Sequence, residues 1–169
     1  IVAGSHGKTT TTSLVASIFD AAGMDPTVIN GGIITSYGTN ARLGTGEWMV
    51  LESDESDGSF LELSPTVCIV TNIDPEHLDH YKSFESLKMA FQTFLSRLPF
   101  YGFGVVCSDH PVVREIIAQA QGKSLITYGF NDGAMIRPQN VRYEGGSMVF
   151  DLTLRTKSDE QIQWADLGL

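Results

Sequence analysis

The sequence is poor in cysteine and in basic residues, and it has no long apolar run. Two cysteines and 11 lysine or arginine residues stand against 20 aspartate or glutamate residues among 169, which gives a formal net charge of −9. Cys68 and Cys107 each lie in an apolar run, which is typical of a buried thiol in a reducing compartment rather than of a disulfide framework. The acidic balance argues against a basic nucleic-acid face, and no apolar run approaches the roughly 18 residues of a membrane span. We therefore predict one cytoplasmic domain with no nucleic-acid and no membrane partner.

The most informative stretch comprises residues 1–12, which read I-V-A-G-S-H-G-K-T-T-T-T. Apolar residues that end a strand are followed by a glycine loop at 4–7 and by a helix that begins at Lys8. Backbone N–H groups at such a helix start favour a bound phosphate. The Lys8 ammonium would reach the outer phosphates of a nucleoside triphosphate, and the Thr9 hydroxyl would ligate its magnesium. Val2 stands where the general phosphate-loop pattern has its first glycine, so we predict a shortened variant of that loop rather than a chance glycine turn before a solvated lysine.

An acidic stretch follows the apolar strand predicted at 48–51. Residues 52–58 read E-S-D-E-S-D-G and place four carboxylates within six residues. Such a run is commonly a solvated loop. In an open α/β sheet, however, ligands bind beyond the carboxyl ends of the strands, where the glycine loop also lies. We therefore predict that Glu52 is a magnesium ligand, with Asp54 and Glu55 as weaker candidates.

Polar side chains also follow the strand predicted at 66–71. Residues 72–81 read N-I-D-P-E-H-L-D-H-Y, and the spacing of His77 and His80 is a weak metal pattern. A neutral imidazole can ligate a cation, and spacing alone does not choose between the two histidines. The Asn-Gly-Gly sequence at 30–32 predicts a turn that either faces a ligand or simply reverses the chain.

Strands alternate with helices along residues 1–129, which predicts an α/β fold with a mostly parallel, doubly wound sheet. We expect helices at 8–22, 83–98 and 111–122, strands at 1–3, 27–30, 48–51, 66–71, 103–107 and 124–128, and an irregular loop at 33–46. Residues 130–169 show an alternating pattern around a turn at 144–147, with a further strand at 161–164. This pattern predicts a small antiparallel β extension at the C-terminal end.

In these motifs the chain resembles the central, ATP-binding domain of the Mur ligases of peptidoglycan synthesis, over essentially its whole length. The resemblance is carried by G-S-H-G-K-T-T-T-T at 4–12, N-G-G at 30–32, E-S-D-E-S-D-G-S-F-L at 52–61, T-N-I-D-P-E-H-L-D-H-Y at 71–81 and L-P-F-Y-G at 98–102. The glycine loop resembles the superfamily as a whole, whereas the acidic stretch and the L-P-F-Y-G run resemble the alanine-adding member most. Ser5 replaces the threonine that is more usual in the family loop and keeps its hydroxyl.

The resemblance implies roles for individual residues. The ATP phosphates would be wrapped by seven residues, namely Gly4, Ser5, His6, Gly7, Lys8, Thr9 and Thr10, with Lys8 on the β and γ phosphates. Thr9 and Glu52 would hold one magnesium ion, and His77 rather than His80 would join Glu52 around a second. Asn30 would lie close to the reacting groups. The catalytic residues would accordingly be Lys8, Glu52 and His77.

The resemblance also implies an ATP-dependent ligase that joins L-alanine to UDP-N-acetylmuramate. The lactyl carboxylate would attack the γ phosphate to give an acyl phosphate, and the amine of L-alanine would displace phosphate to form an amide. Family members have an N-terminal domain that grips the UDP portion and a C-terminal domain that closes over the middle one. Because both ends of this chain look cut from a longer polypeptide, we expect a fragment that lacks those two domains, retains phosphate-binding geometry and has little ligase activity alone.

Three other functions remain open from the sequence. A sister Mur ligase would add another amino acid or a peptide. A non-catalytic module would bind ATP as a switch and would need no second metal position at His77. A phosphate-loop kinase would transfer the phosphoryl group without forming an amide.

Overall fold

A computed structural model describes residues 1–156 and 158–169. Within these residues the helices are α1 (Lys8–Ala21), α2 (Leu78–Tyr81), α3 (Phe84–Ser96) and α4 (Pro111–Gln119), with a 3-10 helix at Ser59–Glu62. The strands are β1 (Val2–Ala3), β2 (Thr27–Ile34), β3 (Thr39–Arg42), β4 (Met49–Leu51), β5 (Val67–Val70), β6 (Phe103–Cys107), β7 (Leu125–Tyr128), β8 (Ile136–Glu144), β9 (Ser147–Arg155) and β10 (Gln161–Gly168).

The larger sheet has the strand order β1-β5-β6-β7-β8-β9-β10. Strands β1, β5, β6 and β7 are parallel, and β8 joins them through a parallel pairing of Tyr128 with Ile136. Strands β8, β9 and β10 then pair antiparallel, with the hairpin closed by Glu144 and Ser147. The predicted α/β fold, mostly parallel with an antiparallel extension at the C-terminal end, is confirmed.

A smaller sheet of order β3-β2-β4 lies beside the larger one and corrects two predictions. The predicted turn at 30–32 is wrong, because β2 continues through these residues to Ile34. The predicted irregular loop at 33–46 is also wrong in part, because it contains β3, which pairs antiparallel with β2. Instead of a turn, glycine inside a strand can mark a place where another group approaches the backbone closely. This is the case in β2.

The other helices and strands occur in the predicted order. Ser83 caps α3, since its hydroxyl accepts a hydrogen bond from the Ser86 N–H at 3.1 Å. The one-turn helix α2 was not predicted, because four residues are too few for a periodic pattern to emerge. Strand β10 extends to Gly168, beyond the predicted end at 164.

The main hydrophobic core lies between α3, α4 and the larger sheet. Helix α3 carries its buried residues at positions three and four apart, as one apolar face requires. Phe60 of the 3-10 helix packs against two of them, with ring centroids 5.2 Å from Phe91 and 5.3 Å from Phe94. This aromatic contact fixes the acidic stretch, which ends at Gly58, to the core.

Both cysteines are free thiols, and Cys68 is fully buried. Burial raises the pKa of the Cys68 thiol to about 12. Among the described residues, no helix has the length and apolar character that crossing a membrane would require.

We expect Phe60→Ala to lower the free energy of unfolding by about 3–5 kcal/mol, because it leaves a cavity between two buried aromatic rings. Urea denaturation of the chain, followed by circular dichroism, measures this loss. Phe100, which is 97% exposed, provides the control, and Phe100→Ala should change the free energy by about 0.5 kcal/mol or less. Equal losses in the two variants would contradict the assignment of Phe60 to the core.

Candidate functional site

The glycine loop lies between β1 and α1 at the carboxyl end of the sheet. Gly4 and Gly7 have φ angles of 135° and 80°, which favour glycine. Gly7 occupies the N-cap position of α1 and has no side chain to cap the helix. The first N–H groups of α1 are therefore available to an anion, as in a phosphate loop.

The end of β5 anchors this loop through residues that the sequence analysis did not single out. Asn72 accepts a hydrogen bond from the His6 N–H at 2.7 Å and donates its side-chain amide to the His6 carbonyl at 3.0 Å. The Thr71 hydroxyl donates to the same carbonyl at 2.7 Å. A side chain at position 4 would lie 2.9 Å from the Asn72 carbonyl oxygen, so Gly4 also permits this close approach. The signal available in the sequence was the polar residue directly after a buried strand.

The Lys8 side chain turns back over the glycine loop and its ammonium finds three acceptors. Its Nζ donates to the Gly4 carbonyl at 2.7 Å, to the Ser5 carbonyl at 3.3 Å and to Oε2 of Glu55 at 2.8 Å. The ammonium thus lies against the glycine loop and is paired with a carboxylate. The contact of Lys8 with nucleotide phosphates stays a prediction.

That partner, Glu55, is the buried acid of the site. Its side chain is 1% exposed, and its Oε1 atom has no hydrogen-bond partner among residues 1–156 and 158–169. The imidazole Nε2 of His77 lies 3.7 Å from this oxygen. The Tyr81 hydroxyl donates to the Glu55 carbonyl and so fixes the backbone at this point. Glu55 is a weaker magnesium candidate from the sequence, and its contact with Lys8, 47 residues away, has no local sequence signal.

Glu52 lies next to the helix start, on the other side of the acidic stretch. Its Oε1 accepts a hydrogen bond from the Thr9 hydroxyl at 2.9 Å, and its Oε2 accepts one from the Gly31 N–H at 2.5 Å. A Cβ at position 31 would lie 2.9 Å from both carboxylate oxygens, which explains the glycine in β2. The structure therefore brings together Thr9 and Glu52, the two residues predicted to share a magnesium ion.

His77 and His80 lie in different environments. His77 has a φ of 54°, occupies the N-cap position of α2 and faces Glu55. Ligand atoms of Glu55, Glu76 and His77 lie within 4.8 Å of one another, close enough to share a cation. His80 instead packs on Tyr81, with ring centroids 4.8 Å apart, and is close to Gly58. The geometry thus favours His77 over His80 as a ligand, and its acidic neighbour is Glu55, whereas the predicted partner Glu52 contacts Thr9.

Asn30 is buried beneath this site. Its side-chain amide donates to the Ser13 hydroxyl and to the Gly32 carbonyl, both at 3.1 Å, and its Oδ1 is unpaired within the described residues. These contacts tie β2 to α1. The role predicted for Asn30 near the reacting groups stays a prediction.

A second group of charges borders the loop at His6. Its Nε2 lies 3.4 Å from Asp74 and 3.5 Å from Glu76. Asp74 also contacts Nε2 of His110 at 3.2 Å, at the start of α4. These contacts hold the rim of the glycine loop against the loops that follow β5 and β6.

The donor set fits a magnesium-bound triphosphate. The Thr9 hydroxyl and the Glu52 carboxylate are oxygen donors of the kind that Mg²⁺ prefers, and they already touch. Lys8 adds a positive charge beside a helix start, where phosphates bind. Oε1 of Glu55, unpaired within residues 1–156 and 158–169, faces His77 and gives a second position for a cation. The fold and the site together define a P-loop-type nucleotide-binding α/β domain.

The chain belongs to the Mur ligase family, since a family model described as "Mur ligase middle domain" matches residues 2–168. A protein of Sinorhizobium fredii, named UDP-N-acetylmuramate--L-alanine ligase, is 55% identical over 161 residues, which are 95% of this chain and 34% of that protein. A protein of Brucella ovis with the same name is 53% identical over 168 residues, 99% of this chain and 36% of its own length. The chain thus spans about a third of the length of these relatives, and the family resemblance is confirmed.

Solved structures share the fold. UDP-N-acetylmuramate-alanine ligase MurC from Thermotoga maritima superposes with a TM-score of 0.77 at 26% identity, over 96% of this chain and 35% of that one. The UDP-N-acetylmuramate:L-alanyl-gamma-D-glutamyl-meso-diaminopimelate ligase from Neisseria meningitides gives 0.80 at 22% identity, over 99% and 55%. MurF ligase from Thermotoga maritima, solved in complex with ADP, gives 0.70 at 19% identity, over 98% and 40%. At these identities the last two support the fold alone.

Tyr81, which holds the acidic stretch, leads to a pH-dependent prediction. Burial, with a further contribution from Glu55, raises its pKa from 10.0 to about 12. Because the pKa of Tyr81 is higher in the folded than in the unfolded state, its neutral hydroxyl stabilises the fold at a pH below the unfolded-state pKa. This stability is lost as the pH rises from about 10 towards 12. Tyr81→Phe should therefore reduce the loss of unfolding free energy over this range by roughly 1 kcal/mol, after allowance for solvent screening.

Urea denaturation of the chain at several alkaline pH values measures this effect. Tyr143→Phe provides the control, because Tyr143 is 78% exposed. The same alkaline slope in the parent chain and in the Tyr81→Phe variant would show that the buried hydroxyl does not contribute.

Proposed function

We propose that this chain is the ATP-binding middle domain of a ligase that joins L-alanine to UDP-N-acetylmuramate, with ATP converted to ADP and phosphate. The names of relatives at 53–55% identity over at least 95% of the chain support the reaction and both substrates. The observation that carries the proposal is the convergence of Lys8, the Thr9–Glu52 pair and His77 at one edge of the sheet.

In this proposal, the residues of the glycine loop bind the phosphates and Lys8 neutralises the β and γ phosphates. Thr9 and Glu52 hold one magnesium ion, and His77 belongs to the position of a second, as the family resemblance implies. Bound Mg²⁺ would supply charge neutralisation on the transferred phosphoryl group and orient it. The protein forms no covalent bond, because positioning and electrostatic stabilisation suffice for this transfer.

Exclusion of water decides how strongly Lys8 and the bound cations stabilise the transferred phosphoryl group. Two unit charges about 4 Å apart interact by about 1 kcal/mol in bulk water and by about 4 kcal/mol at an effective dielectric of 20. The lactyl carboxylate of UDP-N-acetylmuramate and the γ phosphate of ATP are both anions. The site therefore stabilises their approach far better when it is closed against water. We propose that a C-terminal domain of the longer protein provides this closure, that an N-terminal domain binds the UDP portion, and that the protein acts in the cytoplasm.

The test is an assay of the full-length protein that carries this chain, with UDP-N-acetylmuramate, ATP and Mg²⁺. L-alanine, other amino acids and peptides are supplied as the amine in separate reactions. We expect ADP, phosphate and amide in equal amounts with L-alanine. An amide formed only with another amino acid or with a peptide would indicate a sister ligase. ADP binding without any product would indicate a regulatory module, and a phosphorylated product without amide would indicate a kinase.

Substitution of His77 distinguishes a catalytic cation site from a site that only binds nucleotide. His77→Ala in the full-length protein should lower kcat by about 10²- to 10³-fold, since an electrostatic contact at the transferred group is lost. Its affinity for ADP, measured by calorimetry, should change by about threefold or less. His80→Ala is the matched control and should retain nearly normal turnover, whereas equal losses in both variants would refute the assignment of His77.

A further inference from the structure

We propose that Glu55 is a positioning residue of the phosphate site: it holds the Lys8 ammonium before nucleotide binds, and it is displaced from Lys8 by the phosphates. The proposal goes beyond the predicted roles, in which Glu55 is at most a cation ligand. It rests on the proposed function only in taking a nucleotide phosphate as the anion.

The Lys8 ammonium has no N–H left for a further acceptor. An ammonium group has three N–H bonds, and in Lys8 they meet two loop carbonyls and Glu55. A phosphate that binds Lys8 must therefore replace at least one of these acceptors. The carbonyls of Gly4 and Ser5 belong to the loop itself, whereas Glu55 reaches Lys8 from a different segment. Glu55 is accordingly the partner that can be exchanged without unfolding the loop.

The charge of Glu55 also opposes a phosphate at Lys8. Glu55 is 1% exposed and Lys8 is 14% exposed, so the pair is screened only weakly by solvent. A phosphate beside Lys8 also lies near the Glu55 carboxylate, and two anions in a buried site repel each other. Glu55 therefore opposes phosphate binding twice, by occupying Lys8 and by direct repulsion.

The Glu55 carboxylate has a second neighbour that it can contact after it leaves Lys8. Its Oε1 already faces Nε2 of His77 at 3.7 Å and has no other partner among the described residues. Glu76 completes a group of three side chains whose ligand atoms lie within 4.8 Å of one another. A divalent cation in this group would compensate the charge of Glu55 once Lys8 has left it. The opposition by Glu55 should thus be strongest when no divalent cation is present.

The test is a calorimetric titration of the full-length protein with ADP, in EDTA and again in excess Mg²⁺. Glu55→Gln keeps the shape of the side chain and removes its charge. In EDTA this variant should bind ADP about 10-fold more tightly than the parent protein, which corresponds to 1.4 kcal/mol. In Mg²⁺ the gain should shrink to about threefold or less. Unchanged or weaker ADP binding in EDTA by a folded Glu55→Gln protein would overturn the proposal.

The matched control is Asp57→Asn, which removes one charge from the same acidic stretch at an exposed position. It should alter ADP affinity by less than about twofold, since solvent screens its charge. An equal gain in ADP affinity in both variants would mean that the loss of one negative charge explains the gain, and it would overturn the specific role of Glu55.

If Glu55→Gln does not fold, Tyr81→Phe provides the second variant. It removes the hydroxyl that fixes the Glu55 carbonyl and so loosens the hold on Lys8. A gain of about twofold or more in ADP affinity in EDTA is expected, and an unchanged or weaker affinity would contradict the proposal. These outcomes are distinct from failure of the proposed function, in which the parent protein itself binds no ADP in Mg²⁺.

Discussion

The backbone pairing of Val2 with Glu52 is the contact on which the site depends. These two residues form the bridge between the two sheets, and the Ser53 N–H donates to the Val2 carbonyl at 2.9 Å. The pairing sets the end of β4 beside the end of β1. The acidic stretch therefore begins next to the glycine loop, and the Glu52 side chain reaches the Thr9 hydroxyl without any further rearrangement.

The site is a balance of charges rather than a positive pocket in an acidic protein. The chain has a formal net charge of −9, yet its phosphate loop carries one lysine that is already paired with a buried carboxylate. Anion binding in such a site depends on local donors, namely the helix start and Lys8, and on cations that compensate Glu52 and Glu55. If the proposed function is right, the acidic stretch links phosphate binding to divalent cations.

The sequence predicted the strand, glycine loop and helix at residues 1–21 better than it predicted the smaller sheet. Strand, glycine loop and helix leave a strong local pattern, so the positions of Lys8 and Thr9 followed from the order of residues. The strand through 30–32 was mistaken for a turn, because the reason for its glycines is the Glu52 carboxylate, which is distant in sequence. The contacts of Glu55 with Lys8 and of Asn72 with His6 join different segments in the same way. Such contacts depend on strand order, which no local spacing records.

The most direct test of the account is a crystal structure of the full-length protein with ADP and Mg²⁺. We expect the β phosphate to lie against the backbone amides of residues 4–10, with Lys8 turned from Glu55 towards it and a cation in contact with both Thr9 and Glu52. A nucleotide bound at another face of this domain, with the Lys8–Glu55 and Thr9–Glu52 contacts intact, would contradict it.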